Sequence, residues 1–251
     1  MVDFQGYVPY VMKKKHAKTP IKSVVITILF FIFLMLIFMC LVYFRKVEKC
    51  YEKQEFYAVY VSKNKRKIDG DSVELLKKLG GAGNVLFLKE EYYLIANVYF
   101  SEADAKEIAN GLVSTFAGSG VIKLEHESIP RKKALHIAQN LSVSKFFEKY
   151  YVFLSELEGW QMQYVSGKLE ESEFLTRLLR VKLEFGSIVE EFENPEDEKI
   201  FEDIKTHAHM CLNLLQNFFD DFLKQSKKES MICELKLQLI KLKIDLFDNL
   251  Q

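Results

Sequence analysis

From Ser23 to Phe44 the chain reads SVVITILFFIFLMLIFMCLVYF, about 22 consecutive residues without a charge. At about 1.5 Å per residue a helix of that length measures roughly 33 Å, enough for the hydrocarbon core of a bilayer. A cleaved leader would carry a shorter apolar region followed by small residues. Here Tyr43, Phe44, Arg45 and Lys46 follow instead. The run predicts an uncleaved transmembrane helix over residues 23–44, with the lipid bilayer as its partner. Lys13, Lys14, Lys15, Lys18 and Lys22 precede it, and Arg45, Lys46, Lys49 and Lys53 follow. The count of bases favours a cytoplasmic N-terminus by a small margin. Residues 1–22 then form a basic cytoplasmic tail and residues 45–55 a charged spacer.

The other bulk properties exclude more than they suggest. Basic and acidic residues balance at 35 each, so nothing draws the chain as a whole toward nucleic acid. Phe (21) and Tyr (12) are plentiful and Pro (4) is scarce, which suits packed elements and not disorder. The four cysteines include no CxxC pair, so neither a zinc site nor a redox motif is expected. Cys50, just past the span, reads as a free thiol or as a crosslink between two chains near the membrane.

After the spacer the texture changes. FYAVYV (56–61) is a strand, and Asp71 with Glu74 resembles a capping box before Leu75, Leu76 and Leu79. Gly80 and Gly81 stop that helix. NVLFLK (84–89) is a second strand, Glu90-Glu91 a tight turn and Tyr92–Phe100 a third strand. Ser101 caps a second helix with Asp104 three residues on, and its stripe is Ala105, Ile108, Ala109, Leu112, Val113 and Phe116. Val121–Ile129 is a fourth strand. Its two-sided alternation, Val121, Lys123, Glu125 and Glu127 against Ile122, Leu124 and His126, suggests a sheet edge. The order β-α-β-β-α-β over residues 56–129 is the ferredoxin-like, split βαβ pattern. It predicts two helices on one face of an antiparallel sheet and leaves the other face open.

Pro130 closes this unit, and residues 131–251 read as helices throughout. One segment covers Ala134–Leu157 and another Glu171–Glu193. A third starts at Asn194-Pro195 and carries Ile200, Ile204, Ala208, Cys211, Leu212, Leu215, Phe218 and Phe222. In the last, ESMICELKLQLIKLKIDLFDNLQ, the positions Ile232, Leu235, Leu239, Leu242 and Leu246 keep a 3-4 spacing, while Leu235, Leu237 and Leu239 alternate as in a strand. Length and neighbours favour the helix. The fold class expected is thus α+β: a transmembrane helix, a ferredoxin-like domain and a C-terminal helical bundle, the last open to protein partners.

No residue set supports catalysis. His207 and His209 lie two apart on a helix and point about 200° away from each other, so they do not share a metal. Gly80, Gly81 and Gly83 lack the Lys-Ser/Thr of a phosphate loop. No cofactor, metal or catalytic residue is expected. Trp160 reads as a packing anchor between helices. The cluster Lys63-Asn64-Lys65-Arg66-Lys67 reads as a solvated loop, or as a contact for an anionic polymer.

The unit 56–129 resembles a SPOR (sporulation-related repeat) domain. Tyr57-Ala58-Val59-Tyr60-Val61-Ser62 stands where that family has its opening strand phrase. Val98-Tyr99-Phe100-Ser101-Glu102-Ala103-Asp104-Ala105 stands where the related second phrase enters its helix. The resemblance implies a single-pass protein of the bacterial cell membrane with its domains outside and its N-terminus in the cytoplasm. It also implies binding of peptidoglycan glycan strands on the sheet face, at division or sporulation septa. Tyr60, Ser62, Lys63, Leu94 and Ala96 would form that contact surface. The family match turns Leu94 and Ala96 to the open face, whereas local patterning of Leu94, Ala96, Val98 and Phe100 turns them to the helices. A bulge would reconcile the two.

A second function is consistent with the same residues. The sheet face would then bind a protein or pack on the helical bundle, and the chain would act as a structural, scaffold-type membrane protein without glycan binding. An open face flanked by Lys63–Lys67 favours glycan. A buried face favours the scaffold.

Overall fold

The computed structural model describes residues 21–192 and 198–251, and divides into two compact units, residues 1–45 and 46–251. The expected tail 1–22 lies almost wholly outside the described residues, as does the expected helix start Asn194-Pro195. Helix α1 (Ile21–Tyr51) contains the uncharged run. Within it, side chains are described for Val25, Ile26, residues 28–39, Cys50 and Tyr51, so the expected span 23–44 is only partly covered. Among the described residues no helix is both long and apolar enough to cross a membrane.

The charged spacer expected over 45–55 is shared between a helix and a strand. Helix α1 continues to Tyr51 and strand β1 (Gln54–Asn64) begins at Gln54. The end of α1 is held within the second unit. Ile129 N–H donates to the Tyr51 carbonyl at 3.0 Å, and the Tyr51 ring packs on Phe147 at 5.0 Å.

Next come α2 (Gly70–Lys78), β2 (Asn84–Leu88), β3 (Glu91–Tyr99), α3 (Glu102–Leu112) and β4 (Gly120–His126). The sheet is antiparallel with spatial order β2-β3-β1-β4, so the alternating β4 is indeed an edge. Ser101 caps α3 as expected, accepting from Asp104 N–H. The cap of α2 is Asp69, not Asp71: its carboxylate accepts from both Ser72 N–H and Ser72 Oγ–H. The β2–β3 hairpin turns through Lys89 and Glu90, both at positive φ (50° and 64°), the conformation that matches the twist of a two-residue hairpin.

The helical part is α4 (Arg131–Gln139), α5 (Leu141–Val165), α6 (Glu171–Glu190), α7 (Glu198–Phe222) and α8 (Lys228–Asn249). The single helix expected over Ala134–Leu157 is two. Asn140 adopts an extended conformation between them and caps α5 through Val143 N–H. Helices α5, α6, α7 and α8 pack in that order, and α8 returns to α5, so the bundle closes on itself. Aromatic contacts fill it, including Phe146–Phe185 and Phe174–Phe222.

The sheet has no open face. On one side Val59, Val61, Leu94, Ala96 and Tyr99 pack with Leu76 of α2 and Ala105 and Ala109 of α3. On the other, Phe56, Ala58, Ile95, Val98, Ile122 and Leu124 belong to one core with the bundle, and α8 lies against β3 and β4. This corrects the expectation of an uncovered sheet. It also explains the sequence of α8, which is buried over most of its circumference because it touches the sheet on one side and helices α5 and α7 on the other.

Candidate functional site

The structure does not assemble the five residues expected to contact glycan. Leu94 (1% exposed) and Ala96 (6%) are buried beneath α2 and α3. Tyr60 lies on the opposite side, half-buried against the bundle core, with its ring edge-on to Tyr93 at 5.1 Å. Its hydroxyl end lies over Gly120, where a Cβ would come within 2.6 Å. Lys63 is paired across the ladder with Tyr93 and so shares the Tyr60 side; it is exposed and meets Glu91 at 3.6 Å. Ser62 is paired with Leu94.

The register explains the split. Between Val59↔Asn97 and Tyr60↔Ile95 strand β3 carries one extra residue, Ala96. Between Tyr60↔Ile95 and Ser62↔Leu94 strand β1 carries one extra, Val61. Each bulge reverses the alternation locally. Leu94 and Ala96 therefore face the helices, as local patterning requires, while Val98 faces the bundle. Asn97 sits at the bulge, where its side-chain oxygen accepts from Val98 N–H and its amide donates to the Tyr99 hydroxyl at 3.0 Å.

Helix α8 brings two lysines into the core. Lys236 (0% exposed) places Nζ 4.9 Å from the Tyr99 ring centre and has no hydrogen bond there. Burial pushes its pKa down to about 8, against the opposing pull of Cys233 and Glu158. Lys243 donates to Gln54 Oε1 and lies over the Tyr151 and Phe247 rings, and burial also takes it to about 8. Facing Phe247 at 3.9 Å is His126, buried and held down to about 4. The sequence reading missed these groups. Lys236 and Lys243, set among the leucines and isoleucines of α8, and His126, alternating with Ile122 and Leu124, were their visible signals.

Beside this polar core a cleft of about 770 Å³ opens. Its floor is Ala96, Asn97 and Tyr99 of β3 with Gln161 and Cys233. One wall is α3, through Asp104, Glu107, Ile108 and Leu112. The other is the end of α5, through Glu158, Met162 and Val165, and Gly80, Gly81 and Glu229 close the end. Leu79, Ile108, Met162 and Val165 are exposed apolar residues on its rim. Gln161 is buried. Its amide donates to Cys233 Sγ at 2.8 Å, and its Oε1 has no hydrogen-bond partner. Glu158 accepts from Phe100 N–H, and burial raises its carboxyl above the usual range. The spacing Glu158, Gln161/Met162, Val165 marks this wall in the sequence, but nothing there shows what it faces.

None of this forms a reaction centre. Cys211 and Cys233 are buried thiols raised to about 12 and 11, the opposite of nucleophile activation. Cys50 is buried too, and among the described residues no cysteine is in a disulfide, so the chain-to-chain crosslink expected as one option does not suit its position. Among the described residues no group of three His, Cys, Asp or Glu side chains could hold a metal. Trp160 packs on Phe153 at 6.1 Å, and Arg177 of α6 lies over its ring, so it links helices as expected. No family model, curated protein or solved structure matches the chain.

Proposed function

We propose that the chain is a membrane-anchored interaction protein that binds protein partners and not glycan. In this reading α1 is the anchor and the α/β unit is a SPOR-like, ferredoxin-like domain turned into a structural platform. The helical bundle and its borders with that unit offer the binding surfaces. The orientation remains cytoplasmic N-terminus and external domains, on the base count and the resemblance.

One observation carries the reading: α8 fills the sheet side that a glycan strand would have to occupy. Freeing that side would expose Phe56, Ala58, Ile95, Val98, Ile122 and Leu124, at a cost on the order of 10 kcal/mol. Contacts to sugar rings would have to offset that. The anchor is supported by the fourteen described side chains of α1 at positions 25, 26 and 28–39, all large and apolar, which stand 41–68% exposed around the helix. A helix apolar on every side suits lipid.

Co-sedimentation of the full-length protein, in mild detergent, with peptidoglycan sacculi tests this reading. The protein should stay in the supernatant with intact and with amidase-treated sacculi. Pelleting on amidase-treated sacculi, weakened by Tyr60→Ala or Lys63→Ala, would overturn the scaffold reading in favour of peptidoglycan binding.

A further inference from the structure

We propose that the cleft between α3 and the end of α5 is the docking groove for a basic amphipathic helix of a partner protein. The inference rests on the interaction-protein reading and names the chemistry of the partner. Both walls are helix faces whose lining residues recur at three- and four-residue spacing, Asp104/Ile108/Leu112 on one and Glu158/Met162/Val165 on the other. Side-chain ridges so arranged accept the ridge of a further helix. The rim supplies exposed apolar side chains for that helix to cover.

Charge decides which helix. The cleft is lined by four carboxylates, Asp104, Glu107, Glu158 and Glu229, and by no Lys, Arg or His. None of the four is in an ion pair among the described residues; buried Lys236 attracts Glu158, so the exposed Asp104, Glu107 and Glu229 carry the charge offered to a ligand. Lys227 and Lys228, the nearest bases in sequence to Glu229, are committed elsewhere, to Glu74 and Glu171. An independent feature points the same way. Gln161 Oε1 is a buried acceptor without a donor, at the cleft floor. Such a group is costly to leave unmade, and once the amide turns toward the cleft a Lys or Arg side chain of the incoming helix would supply the donor.

The test uses the full-length protein in nanodiscs of zwitterionic lipid, with empty nanodiscs as control. The probe is a fluorescein-labelled leucine/lysine helix of ~18 residues with one apolar face, long enough to hold helical structure. Its leucine/glutamate counterpart is the comparison. Anisotropy should show saturable binding of the lysine peptide only, weakened by added salt. The double substitution Glu107→Gln/Glu229→Gln, at exposed positions, should weaken it at least tenfold, and Ile108→Asp should abolish it. Absence of binding, equal binding of both peptides, or binding unchanged by these substitutions would overturn the groove. The sacculus experiment reads a different ligand on a different face. A failed peptide experiment therefore removes the groove and leaves the interaction reading standing, whereas pelleting on sacculi removes the reading itself.

Discussion

Lys236 on α8 rests its ammonium 4.9 Å from the centre of the Tyr99 ring on β3, fully buried and without a hydrogen bond. The contact joins the helical bundle to the sheet through a group that prefers water. A cation over a ring recovers only part of the desolvation cost. Its pKa near 8 expresses that balance.

A pH-dependent stability difference follows. Below pH 8 Lys236 is charged in both folded and unfolded chains, and the full cost of burying the charge falls on the fold. Between pH 8 and 10.5 the folded chain releases the proton first, so stability gains with rising pH. Lys236→Met should therefore stabilise the protein at pH 7, by up to about 3 kcal/mol, and its advantage should shrink by pH 10. Urea unfolding of both proteins in mild detergent at a series of pH values measures this. Comparing the two curves cancels the buried thiol of Cys211, which titrates in the same range with the opposite sign, and Cys233→Ser in both backgrounds removes the thiol that is coupled to Lys236.

His126 gives a second pH effect on the acid side. Burial holds its folded pKa near 4, below the usual 6.5. From pH 6.5 down to 4 the unfolded chain takes up a proton that the folded chain refuses, so stability falls as pH falls. The loss attributable to this residue is about 3 kcal/mol. His126→Leu should flatten the stability curve over that window, and NMR titration of the ring should give a midpoint near 4.

Leu94 and Lys63 were expected on one binding surface and lie in different environments. Leu94→Ala should lower stability by about 2–5 kcal/mol, because it opens a cavity beneath α2 and α3. Lys63→Ala should change stability by less than about 0.5 kcal/mol, since its pair with Glu91 is exposed. Thermal unfolding of the two variants distinguishes the placements.

Cys211 and Cys233 should be inert in the folded protein. Both are buried and their thiols are raised to about 12 and 11. Reaction with a water-soluble disulfide reagent should release their equivalents only in denaturant. Rapid labelling of Cys233 in the native protein would show that the cleft floor opens.

Local rules carried much of the architecture. Strand and helix order, the Ser101 cap, the edge position of β4 and the stripe of α7 all follow from interactions within a few residues, and the sequence by itself determined them. It also determined the apolar run in α1, since hydropathy needs no partner to be read. The tertiary structure alone decided what each face meets. The pleat of β3 alternates until Ala96, and there the pairing with β1 inserts a bulge that sends Leu94 and Val98 to opposite sides. Strand-like alternation in α8, Leu235-Leu237-Leu239, comes from a helix buried on both sides, a state that periodicity does not separate from a strand. The burial of Lys236 and Lys243 and the convergence of Ile108 with Met162 at one cleft depend on segments that approach from far along the chain. Such contacts are set by how the sheet and the bundle share one core, and residue type at single positions does not encode them.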